Sequence, residues 1–195
     1  MQLSLEVETY DPAVCAVFRT LDGPFGALSN FSSDFPTEVA GCIAETTEAL
    51  YQACRYPQLP DLQRKILDQK TPMEAKRVAK NYWRQSRQDW LDVRIEVMRW
   101  CLELKLAQHM KPFGDHLVST GDLTIVELSF RDDFWGATPT EDGMLRGQNM
   151  LGKLLLALRE DLRAGQVFPS GIVKPPSISD FRFAGVEVGA IGVCS

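Results

Sequence analysis

One stretch limits the possible folds more than any other. From Gln88 to about His109, the residues Trp90, Val93, Val97, Trp100, Cys101 and Leu104 recur at spacings of three and four, so this segment reads as a single long helix with one buried face. A stripe of that length has to be covered by other elements, and the flanking sequence supplies them. Thr46 or Thr47 can cap a helix through Glu48, Leu50, Tyr51 and Ala53, closed before Pro57. Thr71-Pro72-Met73-Glu74 is a capping box with proline at the first helical position, opening a helix to about Tyr82. A third helix, Gly147 to Arg163, carries Met150, Leu151, Leu154, Leu155, Leu158 and Leu162 on one stripe and stops at Gly165.

Strand signals are fewer. Ala13 to Phe18 is β-prone and ends at Asp22-Gly23-Pro24; a loop follows from Phe25 to Pro36, and Val39 to Ala44 reads as one short strand around Gly41. A short helix around His116 to Thr120 ends at Gly121, and Leu123 to Leu128 alternates like a half-buried strand. Val167 to Ser179 looks irregular, while Phe181 to Val193 suits a strand or an extended tail. The expectation is an α+β fold: a mainly helical single domain with a small sheet over residues 1–163, then a C-terminal extension over 164–195.

Composition removes several functional classes. With 21 Lys and Arg against 26 Asp and Glu, the net charge of −5 argues against coating duplex DNA by bulk electrostatics. The longest apolar runs fall far short of the ~20 residues that span a bilayer, and Met1 to Asp11 holds acids and no base, so a cytoplasmic protein without membrane association is expected. Cys15, Cys42, Cys54, Cys101 and Cys194 never form a Cys-x-x-Cys pair and are read as reduced, mostly buried thiols. His109 and His116 are the only histidines, with Pro112 and Gly114 between them, so no three-histidine zinc site can be built and no metal is expected. No serine elbow, P-loop or Gly-x-Gly-x-x-Gly pattern is present.

Charge is segregated along the chain. Residues 1–54 hold one base, Arg19, against eight acids, whereas residues 55–111 hold thirteen bases against seven acids. Lys76, Arg77, Lys80, Arg84 and Arg87 read as solvated helix surface. Stepping 100° per residue from Trp90 along the long helix, Arg94 falls at about 40° and Lys105 at about 60°, inside the apolar stripe. A cation there needs a partner, either a structural carboxylate or an anionic ligand such as phosphate.

Four segments combine polar catalytic residue types with aromatics: Gly26-Ala27-Leu28-Ser29-Asn30-Phe31, Thr47 to Ala53, Asp132-Asp133-Phe134-Trp135-Gly136, and Gly147 to Gly152. In this order they resemble the YbiA-like family, also called NADAR for its link to NAD and ADP-ribose. The likeness extends through Arg55-Tyr56, Thr71-Pro72-Met73, Asp89-Trp90, Val97-Met98, Lys105, Thr120 and Val126-Glu127, over about residues 16 to 163. The resemblance implies a small N-glycosidase of α+β fold that needs no metal or other cofactor. It would cleave the C–N bond between ribose and a base in a phosphorylated ribosyl or ADP-ribosyl compound, either an early riboflavin intermediate or ADP-ribosylated guanine in DNA. The family's glutamate and Gln-Ala motif falls on Glu48, Tyr51, Gln52 and Ala53, its Asp-x-x-Trp-Gly on Asp132, Trp135 and Gly136, and its helix-start tryptophan on Trp90. A common His-Tyr after the glutamate is Ala49-Leu50 here.

The chemistry of these side chains fits that reaction. Breaking an N-riboside passes through an oxocarbenium-like state, which a carboxylate stabilises while a carboxylate also orients or deprotonates water. Glu48 is the first catalytic candidate and Asp132 the second, with Asp133 an alternative to it; taken alone, Glu48 is an ordinary first-turn glutamate and Asp132 an ordinary turn former. Trp90 and Trp135 are candidates for stacking on the base, against the bland reading of core tryptophans. Asn149 is a candidate for bonding ribose hydroxyls, Tyr51 and Asn30 for the remaining substrate contacts, N–H groups near Gly147 for phosphate, and Arg55 and Lys105 for phosphate as well. Two other classes stay open: a non-catalytic ADP-ribose or nucleotide-binding module, and a defence or toxin–antitoxin partner.

Overall fold

The computed structural model describes residues 4–193. In chain order the elements are β1 (Glu8–Tyr10), β2 (Cys15–Phe18), β3 (Thr37–Val39), β4 (Cys42–Ala44), α1 (Thr47–Ala53), α2 (Pro60–Leu67), α3 (Pro72–Asn81), α4 (Trp90–Gln108), α5 (Met110–Ser119), β5 (Thr124–Glu127), β6 (Thr138–Pro139), β7 (Leu145–Gly147), α6 (Met150–Arg163), β8 (Ile172–Val173), β9 (Arg182–Phe183), β10 (Val186–Glu187) and β11 (Ile191–Gly192). Six helices and short strands make this the expected α+β class. No described helix is long and apolar enough to cross a membrane. The chain divides into two compact units, one of residues 1–29 and 111–169, the other of residues 30–110 and 170–195.

In the first unit, β2 and β5 pair in parallel, Cys15 opposite Thr124 through Phe18 opposite Glu127, and α6 packs on β5. That pairing overrides the expected alternation: Ile125 and Val126 are both fully buried, as in a parallel strand enclosed on two faces. A second sheet has the order β1-β7-β6, all antiparallel. Gly147 lies in β7 opposite Glu8 and not in the helix expected to start there; a Cβ on it would collide with the Gly136 carbonyl. Helix α6 begins three residues later, after Asn149 at φ 52°, a left-handed conformation that asparagine tolerates. Helix α5 starts before Pro112 rather than near His116, because a proline in the first turn forfeits no intrahelical hydrogen bond.

In the second unit, Val39 to Ala44 is a hairpin and not one strand. Ala40 and Gly41 both have positive φ, the requirement of a two-residue primed turn, and register is fixed by Val39 opposite Cys42. Thr46 caps α1 by accepting the Ala49 N–H, and Thr71 caps α3 by accepting the Glu74 N–H. The intervening α2 has no side-chain cap and starts on Pro60, so its boundary signal is weak. Helix α4 is buried on one face only near its start; from Val97 to Ala107 it is enclosed almost all round, with α1, β3 and β8 packed against it.

Residues 170–193 fold into this second unit. Strand β8 pairs with β11 and packs on α4, Phe181 meets Trp100 edge to face at 4.9 Å, and Gln63 of α2 bonds both Arg182 O and Ala184 N. Cys54 and Cys101 are buried free thiols, but Cys15 and Cys42 are only half-buried, and Cys194 lies outside the described residues.

Asn149 ties β5 to the start of α6: Oδ1 accepts the Glu127 N–H at 3.0 Å and Nδ2 donates to Ile125 O at 2.8 Å. Asn149→Gly keeps the left-handed backbone and removes both bonds. It should cost about 3 kcal/mol in equilibrium denaturant unfolding, since orphaned buried polar groups cost about 1–3 kcal/mol each.

Candidate active site

The sequence-derived candidates fall into two groups, one in each unit. In the second unit, Glu48 occupies the first turn of α1 and is 5% exposed. The preceding loop positions it: the Glu48 backbone N–H donates to Asn30 O at 2.9 Å. One turn along, Gln52 Nε2 donates to Glu48 Oε1 at 3.0 Å, and Lys76 Nζ of α3 stands 3.7 Å from the same oxygen. Gln52 belongs to the motif that carries the family resemblance but has no role in the sequence reading, and Lys76 is read there as solvated helix surface. Gln52 was legible as the i+4 neighbour of Glu48 on one helix, but no local signal announces that α3 delivers a lysine to α1.

Tyr51, also on α1, packs its ring 5.0 Å from that of Trp90. The Arg55 guanidinium lies 5.2 Å over the other component of this pair, the Trp90 indole. Trp90 is only 7% exposed, so it forms a wall behind Arg55 and Tyr51 rather than an open platform for a base. Burial and the Glu48 carboxylate push the Tyr51 phenol well above its ordinary range, with Arg94 and Arg55 pulling the other way. The phenol therefore stays protonated and can donate. Arg55 Nε is buried without a hydrogen-bond partner, and so is Asn30 Oδ1, whose Nδ2 donates to Met98 Sδ at 3.3 Å. Burial and contact with Cys54 raise the Cys101 thiol, which leaves it a poor nucleophile.

Lys105 does not suit the phosphate role expected of it. Its side chain is fully buried, with Nζ 5.0 Å over the Phe35 ring, and Asp34 is the carboxylate whose charge offsets its burial. Burial lowers its pKa to about 7.

The other four candidates assemble in the first unit, as the architecture of a loop. Asp132 Oδ1 accepts the N–H groups of Phe134 at 3.1 Å and Trp135 at 2.9 Å, the geometry of an aspartate turn. Trp135 is half-buried and meets Phe134 edge to face at 5.0 Å, while Asp133 is exposed. The carbonyls of Asp133, Gly136, Phe134 and Trp135 accept the N–H groups of Gln148, Asn149, Met150 and Leu151 in turn. The amides expected to receive phosphate near Gly147 are thus committed to this loop, and the Asn149 carboxamide, expected to reach ribose hydroxyls, is committed to β5. Among the described residues, no group of three or more His, Cys, Asp or Glu could hold a metal ion.

Comparison with known proteins places this arrangement. The family model for the NADAR domain matches residues 17–163. The riboflavin biosynthesis protein of Vibrio vulnificus is 35% identical over 146 residues, 75% of this chain, which spans 38% of that longer protein. The N-glycosidase YbiA of Escherichia coli is 31% identical over 145 residues, 74% of this chain and 86% of the relative. The NMR structure of E. coli YbiA superposes with a TM-score of 0.66 at 29% identity, covering 80% of this chain and 88% of that one.

The depressed Lys105 titration has a signed consequence. Between pH 7 and about 10 the unfolded chain holds a proton on this amine that the folded chain has lost, so this group makes stability rise with pH across that window. Below pH 7 the cost of burying the charge is fully present. Lys105→Met should abolish this rise and stabilise the protein most at pH 6–7, as read by denaturant midpoints across the pH range.

Proposed function

Because the chain belongs to the NADAR family, we propose that it is an N-glycosidase, hydrolysing the C–N bond between ribose and a base in a phosphorylated ribosyl compound. The observation that carries this reading is a buried carboxylate, Glu48, with the Lys76 amine 3.7 Å from it and the Tyr51 phenol, whose ring packs on Trp90, within reach of its charge. Among the relatives of this chain, the E. coli protein is named N-glycosidase YbiA and the Vibrio protein is named for riboflavin biosynthesis. We take early phosphorylated riboflavin intermediates as the first substrate class, with ADP-ribosylated guanine as the competing substrate of the same bond type.

In this reading water adds to C1′ as the C1′–N bond breaks and its electron pair leaves with nitrogen. Glu48 takes the proton from the attacking water, and the departing nitrogen gains a proton, so that one water is consumed. Before that transfer, the carboxylate faces the positive charge building on the sugar ring. Arg55, with its unpartnered Nε, meets the substrate phosphate, and Tyr51 donates from its phenol to the sugar or base. Asp132 and Trp135 serve by shaping their loop, the Asp132 carboxylate taking the Phe134 and Trp135 N–H groups and the Trp135 carbonyl the Leu151 N–H.

Purified protein incubated with a phosphoribosylamino-pyrimidine should release ribose phosphate, followed by mass spectrometry. Release of ADP-ribose from a guanine-modified oligonucleotide alone would move the substrate class, and no release from either would overturn the reading. Glu48→Gln should lower kcat by about 10²–10⁴-fold, the range of general acid–base contributions. Arg55→Ala should act mainly on KM, raising it about tenfold for a lost charge-assisted contact.

A further inference from the structure

We infer that Gln52 is a positioning residue that decides which oxygen of Glu48 meets the substrate, an inference that rests on the glycosidase reading of Glu48. Two donors converge on Oε1: Gln52 Nε2 at 3.0 Å and Lys76 Nζ at 3.7 Å. No hydrogen bond of the described residues falls on Oε2, which keeps contact with solvent, and Lys76 makes its closest approach to Oε1. The carboxylate is therefore asymmetric, with one oxygen anchored and the other open.

The two donors are not equivalent. The Lys76 side chain is half exposed, at 50%, so its charge is screened and its long stem is free to follow an incoming anion. Gln52 is 6% exposed and sits one helical turn from Glu48, so its amide is held by the core of α1 and cannot wander. A leucine of similar volume would fill the same space, yet it would leave Oε1 without a short-range donor in a low-dielectric setting. Gln52 thus keeps the carboxylate in one rotamer before substrate arrives, with Oε2 directed at the reacting atoms. Alignment of this kind acts on the reaction step and not on binding.

The test uses full-length protein. Gln52→Leu should lower kcat about 10–100-fold with KM within about twofold, the signature of misplaced catalytic geometry. The double variant Glu48→Gln/Gln52→Leu should be no slower than Glu48→Gln alone, because the two residues act as one unit. Gln52→His, which keeps an N–H donor, should recover part of the loss. Multiplicative losses in the double variant, or an unchanged kcat in Gln52→Leu, would overturn the inference. If Gln52→Leu fails to fold, Gln52→Met supplies the same loss of donor with a more adaptable side chain. A substrate-free measurement separates this inference from the function: carbodiimide coupling to Glu48, read by mass spectrometry, should rise several-fold in Gln52→Leu. An unchanged rate overturns the positioning role even if the wild type is active, whereas a raised rate in a protein that cleaves no riboside leaves the anchoring of Glu48 by Gln52 standing and removes the glycosidase reading.

Discussion

A carboxylate withdrawn from water has to be met by donors, and the second unit is organised around meeting one. Glu48 is held at its backbone by Asn30, at its side chain by Gln52, and electrostatically by Lys76 from a different helix. The short helix carrying it starts on the Thr46 hydroxyl, and all seven of its residues are buried, Leu50 and Ala53 completely. Seven residues make only two turns, too few to be stable alone, so the geometry of the acid derives from tertiary packing against α2, α3 and α4.

The first unit solves a different problem, the tying of an irregular loop to a helix. Four successive amides at residues 148–151 take the carbonyls of residues 133–136, and Asp132 closes the loop from its other side. This use of a helix start for main-chain pairing withdraws the amides of residues 148–151 from any anion. Glycine is required at 147 because the Gly136 carbonyl occupies the space of a Cβ there, and at 136 because the Glu127 carbonyl does the same.

What the sequence made legible follows from the range of the physics involved. Caps at Thr46 and Thr71, the extent of α4 and the stripe of α6 are local patterns, and each appears where its pattern stands. The second half of α4 was misjudged as one-faced because enclosure by β3, β8 and α1 is a tertiary fact. Lys105 gave a correct warning, a cation inside an apolar stripe, but its angle could not distinguish a buried partner from a ligand. Residue types marked out Glu48, Tyr51, Arg55 and Trp90, and these do gather in one unit. Lys76 was invisible because exposure on its own helix says nothing about which neighbour its amine reaches.

The C-terminal segment changes how the boundaries of this protein should be drawn. The family match ends at residue 163, yet the body holding Glu48 is completed by residues 170–193, through Phe181 against Trp100, Ser177 N–H donating to Glu96 Oε1 and the paired bonds of Gln63. What the relatives share is thus a part of a larger cooperative folding unit in this chain. Here the segment beyond the family match is mortar for the matched helices, and variation in it can reach the chemistry without touching a single matched residue.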